Sequence, residues 1–381
     1  MIIQRQLQKV VEGYLFKKKT IIIYGARQTG KTTLLEQLLE PYQSDILFLN
    51  GDDADVRAML TDLNPTRLLP VIGKSKIVVL DEAQRIPEAG LALKIIHDNY
   101  KEVQLIATGS SSFELAGKIN EPLTGRKFEF ILYPLSFSEM VDHHGFLTEK
   151  RLLEHRLIFG YYPDIVSNLG QETKLLKSLA SSFLYKDLLS LETIKKPVLL
   201  EKILNAVALQ IGKEVSYNEI AQLTHSDKET VEKYIDLLEK SCILFKLPAL
   251  SRNARNEIKK GRKIYFHDNG IRNAVLGNFS PLSGRSDKGA LWENFLVSER
   301  LKYLEYNELS AKYYFWRTTL QQEIDFIEED NDKFSAYEFK WNPQKKVSLS
   351  KTFSQAYPNS EFKVISPDNV QDFLLRPANF G

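Results

Sequence analysis

A single cysteine, Cys242, stands among 381 residues, so no disulfide can form within the chain, and a reducing cytoplasm is the expected compartment. Long apolar runs are equally scarce. Stretches such as Ile21-Ile22-Ile23-Tyr24 fall far short of the ~20 residues that a membrane-spanning helix needs, and no membrane crossing is expected. The N-terminus, Met1-Ile2-Ile3-Gln4-Arg5-Gln6-Leu7, lacks an uninterrupted apolar run behind a basic leader and does not read as a secretory signal. Charge of one sign is also missing. The 51 basic and 49 acidic residues leave a net charge of +2, which confines any DNA contact to a local cluster of cations. The six histidines and the lone cysteine form no HExxH or CxxC spacing, which removes the usual zinc sites.

What is present is globular: 43% hydrophobic and 26% charged residues can build a core, and the length suits two or three domains of ~100–200 residues. The first 165 residues alternate short apolar strands with helices. Strands are expected at Thr20–Tyr24, Asp45–Leu49, Lys76–Leu80, Gln104–Thr108 and Lys127–Leu132, with a helix at Thr32–Leu39. Continuous apolar strands with helices between them indicate a parallel sheet covered on both faces, an α/β domain. From about residue 145 to residue 208 leucine-rich helical spacing takes over. Beyond it, Val215–Leu223 and Lys228–Lys240, then a strand at Ile243–Leu247, have the order of a winged helix-turn-helix. The second helix mixes Glu229, Glu232, Asp236 and Glu239 with Lys228, Lys233 and Lys240, so DNA contact and protein packing are both open there. The segment Ser251–Lys263 is the densest basic stretch, with Arg252, Arg255, Lys259, Lys260, Arg262 and Lys263 against Glu257 alone. It reads either as a solvated loop or as a contact to a phosphate backbone. The remainder, a helix at Lys288–Tyr303, strands at Lys312–Trp316, Glu323–Glu328 and Phe334–Lys340, a helix near Leu349–Tyr357 and a strand at Glu361–Ser366, has the order αβββαβ. Expected domains are residues 1–165, 166–250 and 251–381.

Gly25-Ala26-Arg27-Gln28-Thr29-Gly30-Lys31-Thr32 fits G-x-x-x-x-G-K-[ST] at every position and lies between an apolar strand and a helix, as a phosphate-binding loop must. Backbone N–H groups of the loop and helix start, through Thr33, can surround phosphates at the positive end of the helix dipole. Lys31 can reach the β and γ phosphates of ATP, and the Thr32 hydroxyl can ligate Mg2+. The strand Lys76–Leu80 ends in Asp81 and Glu82: Asp81 is placed to hold the magnesium, and Glu82 to orient or deprotonate the attacking water. Ala107-Thr108-Gly109-Ser110-Ser111 ends another strand at the same sheet edge. Thr108 is the choice for the γ-phosphate sensor, and helix capping is the alternative for the serines.

These residues carry a resemblance. GARQTGKT, LDEAQRIP, ATGSSSFEL, LTGRKFEFILYPLSFSE and Phe159-Gly160-Tyr161-Tyr162-Pro163-Asp164, with Lys263–Gly270 and Trp292-Glu293-Asn294 further on, are similar to the bacterial and archaeal AAA-type P-loop ATPases that carry a C-terminal DUF4143 domain. The resemblance covers nearly the whole chain. It implies ATP and ADP as ligands, and Arg126 as an arginine finger in a homo-oligomer, a hexamer being one arrangement; a surface ion pair is the other reading of Arg126. It also implies that Gly160 to Pro163 border the nucleotide base.

The C-terminal order is that of restriction-endonuclease-like nucleases, with Glu293 on the first helix, Asp325 on a hairpin strand, and Glu338 and Lys340 at the next strand's end. Such enzymes need carboxylates converging on a magnesium and a lysine near the attacking water. Glu257-Ile258-Lys259 and Glu361-Phe362-Lys363 also read E-x-K, so the tripeptide alone decides nothing, and a nuclease fold retained for binding is the alternative. The functional expectation is a magnesium-dependent ATPase coupled to DNA binding or remodelling by an oligomer. The alternative is a nucleotide-gated switch whose C-terminal domain docks a protein and cuts nothing.

Overall fold

The computed structural model describes residues 2–61, 65–109, 123–182, 196–250, 261–345 and 347–375. The chain divides into two compact units, Ile2–Pro134 (joined by Lys240–Cys242) and the rest of Leu135–Gly381.

The first unit is built on strands β1 (Thr20–Tyr24), β2 (Ile46–Asn50), β3 (Ile77–Asp81), β4 (Gln104–Gly109) and β5 (Lys127–Ile131). They form one sheet in the order β2-β3-β4-β1-β5, with every pairing parallel. All five residues of β1 and of β3 are buried, which is why these strands read as unbroken apolar runs: a side chain on either face meets a helix rather than water. The helix α1 (Gln6–Glu12) precedes the sheet and α2 (Lys31–Leu39) follows β1, burying Leu34, Leu35, Leu38 and Leu39 at helical spacing. Because β4 lies between β1 and β3, its last residues come to the edge where the loop after β1 and the acids after β3 end.

The second unit begins with short helices, among them Phe137–His144, whose start is closed by a capping box between Ser136 and Glu139. Helices Tyr217–Thr224 and Lys228–Lys240 accompany an antiparallel sheet in the order β6-β8-β7, made by β6 (Glu214–Val215), β7 (Leu244–Pro248) and β8 (Arg262–Phe266). The helix Lys288–Tyr306 then precedes β9 (Lys312–Arg317), β10 (Glu323–Asp330) and β11 (Lys333–Phe339), and helix Lys351–Ala356 precedes β12 (Ser360–Ile365). This αβββαβ run forms a mixed sheet ordered β12-β11-β10-β9, in which only the β11–β12 pairing is parallel. One residue is bulged out of β10 against β9: Ile324 pairs with Trp316 and Ile327 with Tyr314. The bulge brackets Asp325, in keeping with the use of bulges to re-aim a side chain.

Candidate nucleotide site and the C-terminal acid cluster

The loop after β1 packs tightly enough to explain its glycines. A Cβ built on Gly25 falls 2.3 Å from the carbonyl oxygen of Leu132, so only glycine fits there. Gly30, at φ +91°, adopts the left-handed conformation at the start of α2, and Gln28 is also left-handed at φ +60°. Lys31 is buried, and its ammonium donates to the carbonyl oxygens of Gly25 (3.0 Å) and Ala26 (3.1 Å). It thus lies along the loop that it is expected to serve. Thr29 closes the turn by donating to Ala26 O at 2.9 Å, while Arg27 is half-buried and Gln28, Thr32 and Thr33 are exposed.

Across the edge, Thr32 Oγ1 donates to Asp81 Oδ2 at 3.1 Å. The other Asp81 oxygen accepts from the Thr108 hydroxyl and, at 3.1 Å, from the backbone N–H of Glu82. The sheet order therefore brings together residues from three separate motifs, with buried Asp81 and Thr108 at the centre. Thr32 and Asp81 offer hydroxyl and carboxylate oxygens, a donor set that suits Mg2+. Glu82 is left-handed at φ +50°, which turns the chain out of the strand, and its carboxylate accepts from the amide of Gln84. Ser110 and Ser111 lie outside the described residues. Arg126 sits just before β5 in an exposed ion pair, 3.1 Å from Asp98, with 42% of its own side chain accessible.

Sequence reasoning did not single out Arg5. Its guanidinium is buried and donates to Thr29 O at 2.7 Å and to Tyr133 O at 2.6 Å, tying the phosphate loop to the chain that leaves β5. No motif marks it, because the two oxygens that it meets belong to backbone. Gln84 lay within a quoted motif, but its contact with Glu82 was not foreseen.

In the second unit, Gly160 to Pro163 enter a buried joint. Tyr161 N donates to Asp268 Oδ2 at 2.6 Å, and the same carboxylate lies 2.1 Å from where a Cβ on Gly160 would stand. Pro163 begins the helix Pro163–Ser167. Asn269, Asn273 and Asn294 donate to backbone oxygens of Leu157, Ile158, Phe266 and Leu291, so asparagines of the later segments serve as internal struts.

The four residues expected to converge in the C-terminal domain do so. Asp325 accepts from Phe339 N at 2.8 Å, and Lys340 Nζ lies 2.6 Å from Glu338 Oε1. Burial, and after it the nearby Asp325 charge, raises the Glu293 carboxyl to about 7 against the opposing pull of Lys263. Three further members were missed: Lys263, Glu323 and Tyr265. Lys263 Nζ stands 2.8 Å from Glu293 Oε1, 2.6 Å from Glu323 Oε1 and 4.0 Å from Asp325 Oδ1. The Tyr265 hydroxyl donates to Glu293 Oε1 at 2.6 Å. Among the described residues no group of three His, Cys, Asp or Glu side chains is arranged to hold a metal ion.

This corrects the reading of the basic stretch at Lys263. Lys263 has no solvent exposure and is an internal counter-ion; Arg262 stacks over Tyr217, 4.8 Å from the ring centroid. Arg252, Arg255, Lys259 and Lys260 lie outside the described residues. No helix among the described residues is long and apolar enough to cross a membrane.

Comparison with known proteins divides the chain into three matched segments. Residues 17–141 match the family described as AAA domain, residues 150–282 a domain of unknown function, DUF8612, and residues 288–374 the domain of unknown function DUF4143. An uncharacterized protein of Mycobacterium tuberculosis is 25% identical over 340 residues, covering 88% of this chain and 73% of its own. One of Haemophilus influenzae is 24% identical over 340 residues, covering 82% and 80%. Among solved structures, the RuvB Holliday junction branch migration motor of Thermotoga maritima aligns over 73% of this chain and 96% of its own, at 18% identity and a TM-score of 0.33. Cdc6p of Pyrobaculum aerophilum aligns over 71% and 91%, at 13% identity and a TM-score of 0.28.

Proposed function

For a chain that carries an AAA domain over residues 17–141 and a DUF4143 domain over residues 288–374, we propose magnesium-dependent hydrolysis of ATP to ADP and phosphate at the edge where β1, β3 and β4 end. The observation that carries this reading is the joining of Thr32, Asp81, Thr108 and Glu82 by hydrogen bonds from three separate motifs. Backbone N–H groups from Gly25 to Thr33 surround the phosphates, and Lys31 exchanges its loop carbonyls for phosphate oxygens. Thr32 and Asp81 hold the magnesium, which supplies charge neutralisation to the phosphates when bound. Glu82 takes the proton from the attacking water. Its contact with Gln84 holds the carboxylate in one orientation until substrate competes for it. Thr108 fixes Asp81 and senses the γ-phosphate. In the same proposal Arg126 reaches a neighbouring subunit's site as a finger.

Coupling to DNA by an oligomer is the first reading of the output. The nucleotide-gated switch with a protein partner is the second, and one observation favours it: Lys263, one of the six cations of the basic stretch, is engaged inside the protein. Phosphate release with and without single-stranded, duplex and branched DNA separates the two. Stimulation that falls steeply with salt supports DNA coupling, and turnover indifferent to all three supports the switch. No magnesium-dependent phosphate release under any condition refutes the ATPase.

A further inference from the structure

The acid cluster at the end of the β10–β11 hairpin contains Glu293, Glu323, Asp325 and Glu338, and its element order is one in which nucleases hold a divalent cation. Here the centre of the cluster already contains a cation. The Lys263 ammonium, with no solvent exposure, is 2.8 Å from Glu293, 2.6 Å from Glu323 and 4.0 Å from Asp325, and the ring of Phe315 covers it at 5.5 Å. We infer that Lys263 is the resident cation of this cluster, taking the place of a metal ion, so that the C-terminal domain works without a metal of its own and does not cut DNA.

Three features support the inference. A buried ammonium needs compensating negative charge, and here it has carboxylate oxygens of Glu293 and Glu323 within 2.8 Å and that of Asp325 at 4.0 Å. The side chain is also fixed at its root. Lys263 lies on the central strand of its sheet, paired on one side with Glu214 of β6 and on the other with Leu247 of β7, so it cannot withdraw without breaking two ladders. Finally, Mg2+ needs oxygen ligands at ~2.0–2.1 Å in near-octahedral array, and an ammonium hydrogen-bonded to the same oxygens both occupies that volume and repels a second cation. Lys263 belongs to the segment matched over residues 150–282, and the acids belong to the segment matched over 288–374. The cluster therefore also fastens these two segments to each other. The inference stands whether or not the chain hydrolyses ATP.

The test uses the full-length protein without nucleotide, in an Asp81→Asn background that removes the other expected metal ligand, with MnCl2 as the probe and thermal unfolding as the readout. The parent should melt at the same temperature with and without Mn2+. Lys263→Met keeps the apolar stem and removes the charge, leaving the carboxylates to find another cation. It should melt lower in the absence of metal and gain about 5 °C or more with saturating Mn2+, a gain abolished by adding Asp325→Asn. Mn2+ stabilisation of the parent that disappears with Asp325→Asn overturns the inference, as does a folded Lys263→Met protein that ignores Mn2+. Should Lys263→Met fail to fold without metal, refolding in Mn2+ is expected to rescue it; failure of that rescue counts against the inference. Duplex DNA incubated with the wild-type protein and Mn2+ should remain intact, and cleavage lost in Asp325→Ala would overturn the metal-free assignment directly.

Discussion

Thr108 donates to Asp81 and accepts from the backbone N–H of Glu82 at 3.3 Å, so one hydroxyl fixes the Asp81 carboxylate and the turn that leaves β3. Replacing it with valine keeps the shape and removes the polar contact. Thr108→Val should lower kcat about 10–100-fold, a cost of ~1.4–2.7 kcal/mol on the barrier, with ATP affinity changed less than ~3-fold; isothermal binding and phosphate release report the two separately. Unchanged kcat would remove Thr108 from the site. Arg5 acts on the loop itself. A charge-assisted hydrogen bond contributes ~1.5–3 kcal/mol, so Arg5→Ala should weaken ATP binding about 10-fold or more, and Arg5→Lys should restore only part of it, because one ammonium replaces a two-pronged donor. Affinity equal to wild type in Arg5→Ala would contradict this. Thr108 was legible in the sequence because it ends an apolar strand beside glycine and hydroxyl residues. Arg5 was not: its targets are main-chain oxygens 24 and 128 residues away, and no side-chain pattern encodes them.

The parallel strands were the most legible elements. Burial on both faces forces continuous Ile, Val and Leu, and each expected strand is found within about a residue of its place. The αβββαβ order was equally plain, since its strands alternate with turns and helices of ordinary length. The β10 bulge was hidden, because one extra residue leaves no mark on a short apolar pattern. Strand β8 misled more seriously: its lysine reads as part of a basic run when only sequence neighbours are considered, whereas its partners arrive from residues 293, 323 and 325. Close packing at β1 gives a further test. Gly25→Ala would drive a methyl group against the Leu132 carbonyl, and overpacking of this kind costs ~1–3 kcal/mol, so the first unit should melt several degrees lower; an unchanged melting temperature would mean that the loop has room. The acid cluster makes a pH prediction. Burial raises Glu293 from 4.5 to about 7, so its contribution to stability is complete below the unfolded value and is lost as pH rises through 7. His267, lowered to about 3 by burial and then by Lys302, works in the opposite direction below its free value of 6.5. The comparison is therefore between wild type and Glu293→Gln, whose stability difference should shrink or reverse between pH 5 and pH 8; parallel pH profiles would exclude a raised Glu293 pKa.

At the scale of the whole molecule, local motifs predicted an ATPase in the first unit and an acidic sheet edge in the second, but not that an internal lysine neutralises the latter. Long-range pairing decides that, and composition carries no record of it. Assembly is a molecular property too. If Arg126 gives up its exposed pair with Asp98 to serve a neighbour, specific activity should rise with protein concentration, and mixed Arg126→Ala and Lys31→Ala proteins should recover turnover at hybrid interfaces. Concentration-independent activity together with a monomeric mass in ATP would reject the shared site. The central claim, magnesium-dependent ATP hydrolysis with Lys31 on phosphate and Glu82 on water, is tested most directly by measuring ATP binding and phosphate release side by side in wild type, Lys31→Ala and Glu82→Gln. The account predicts that Lys31→Ala loses binding, whereas Glu82→Gln binds as wild type and hydrolyses about 10²–10⁴-fold more slowly; wild-type hydrolysis by Glu82→Gln would contradict it.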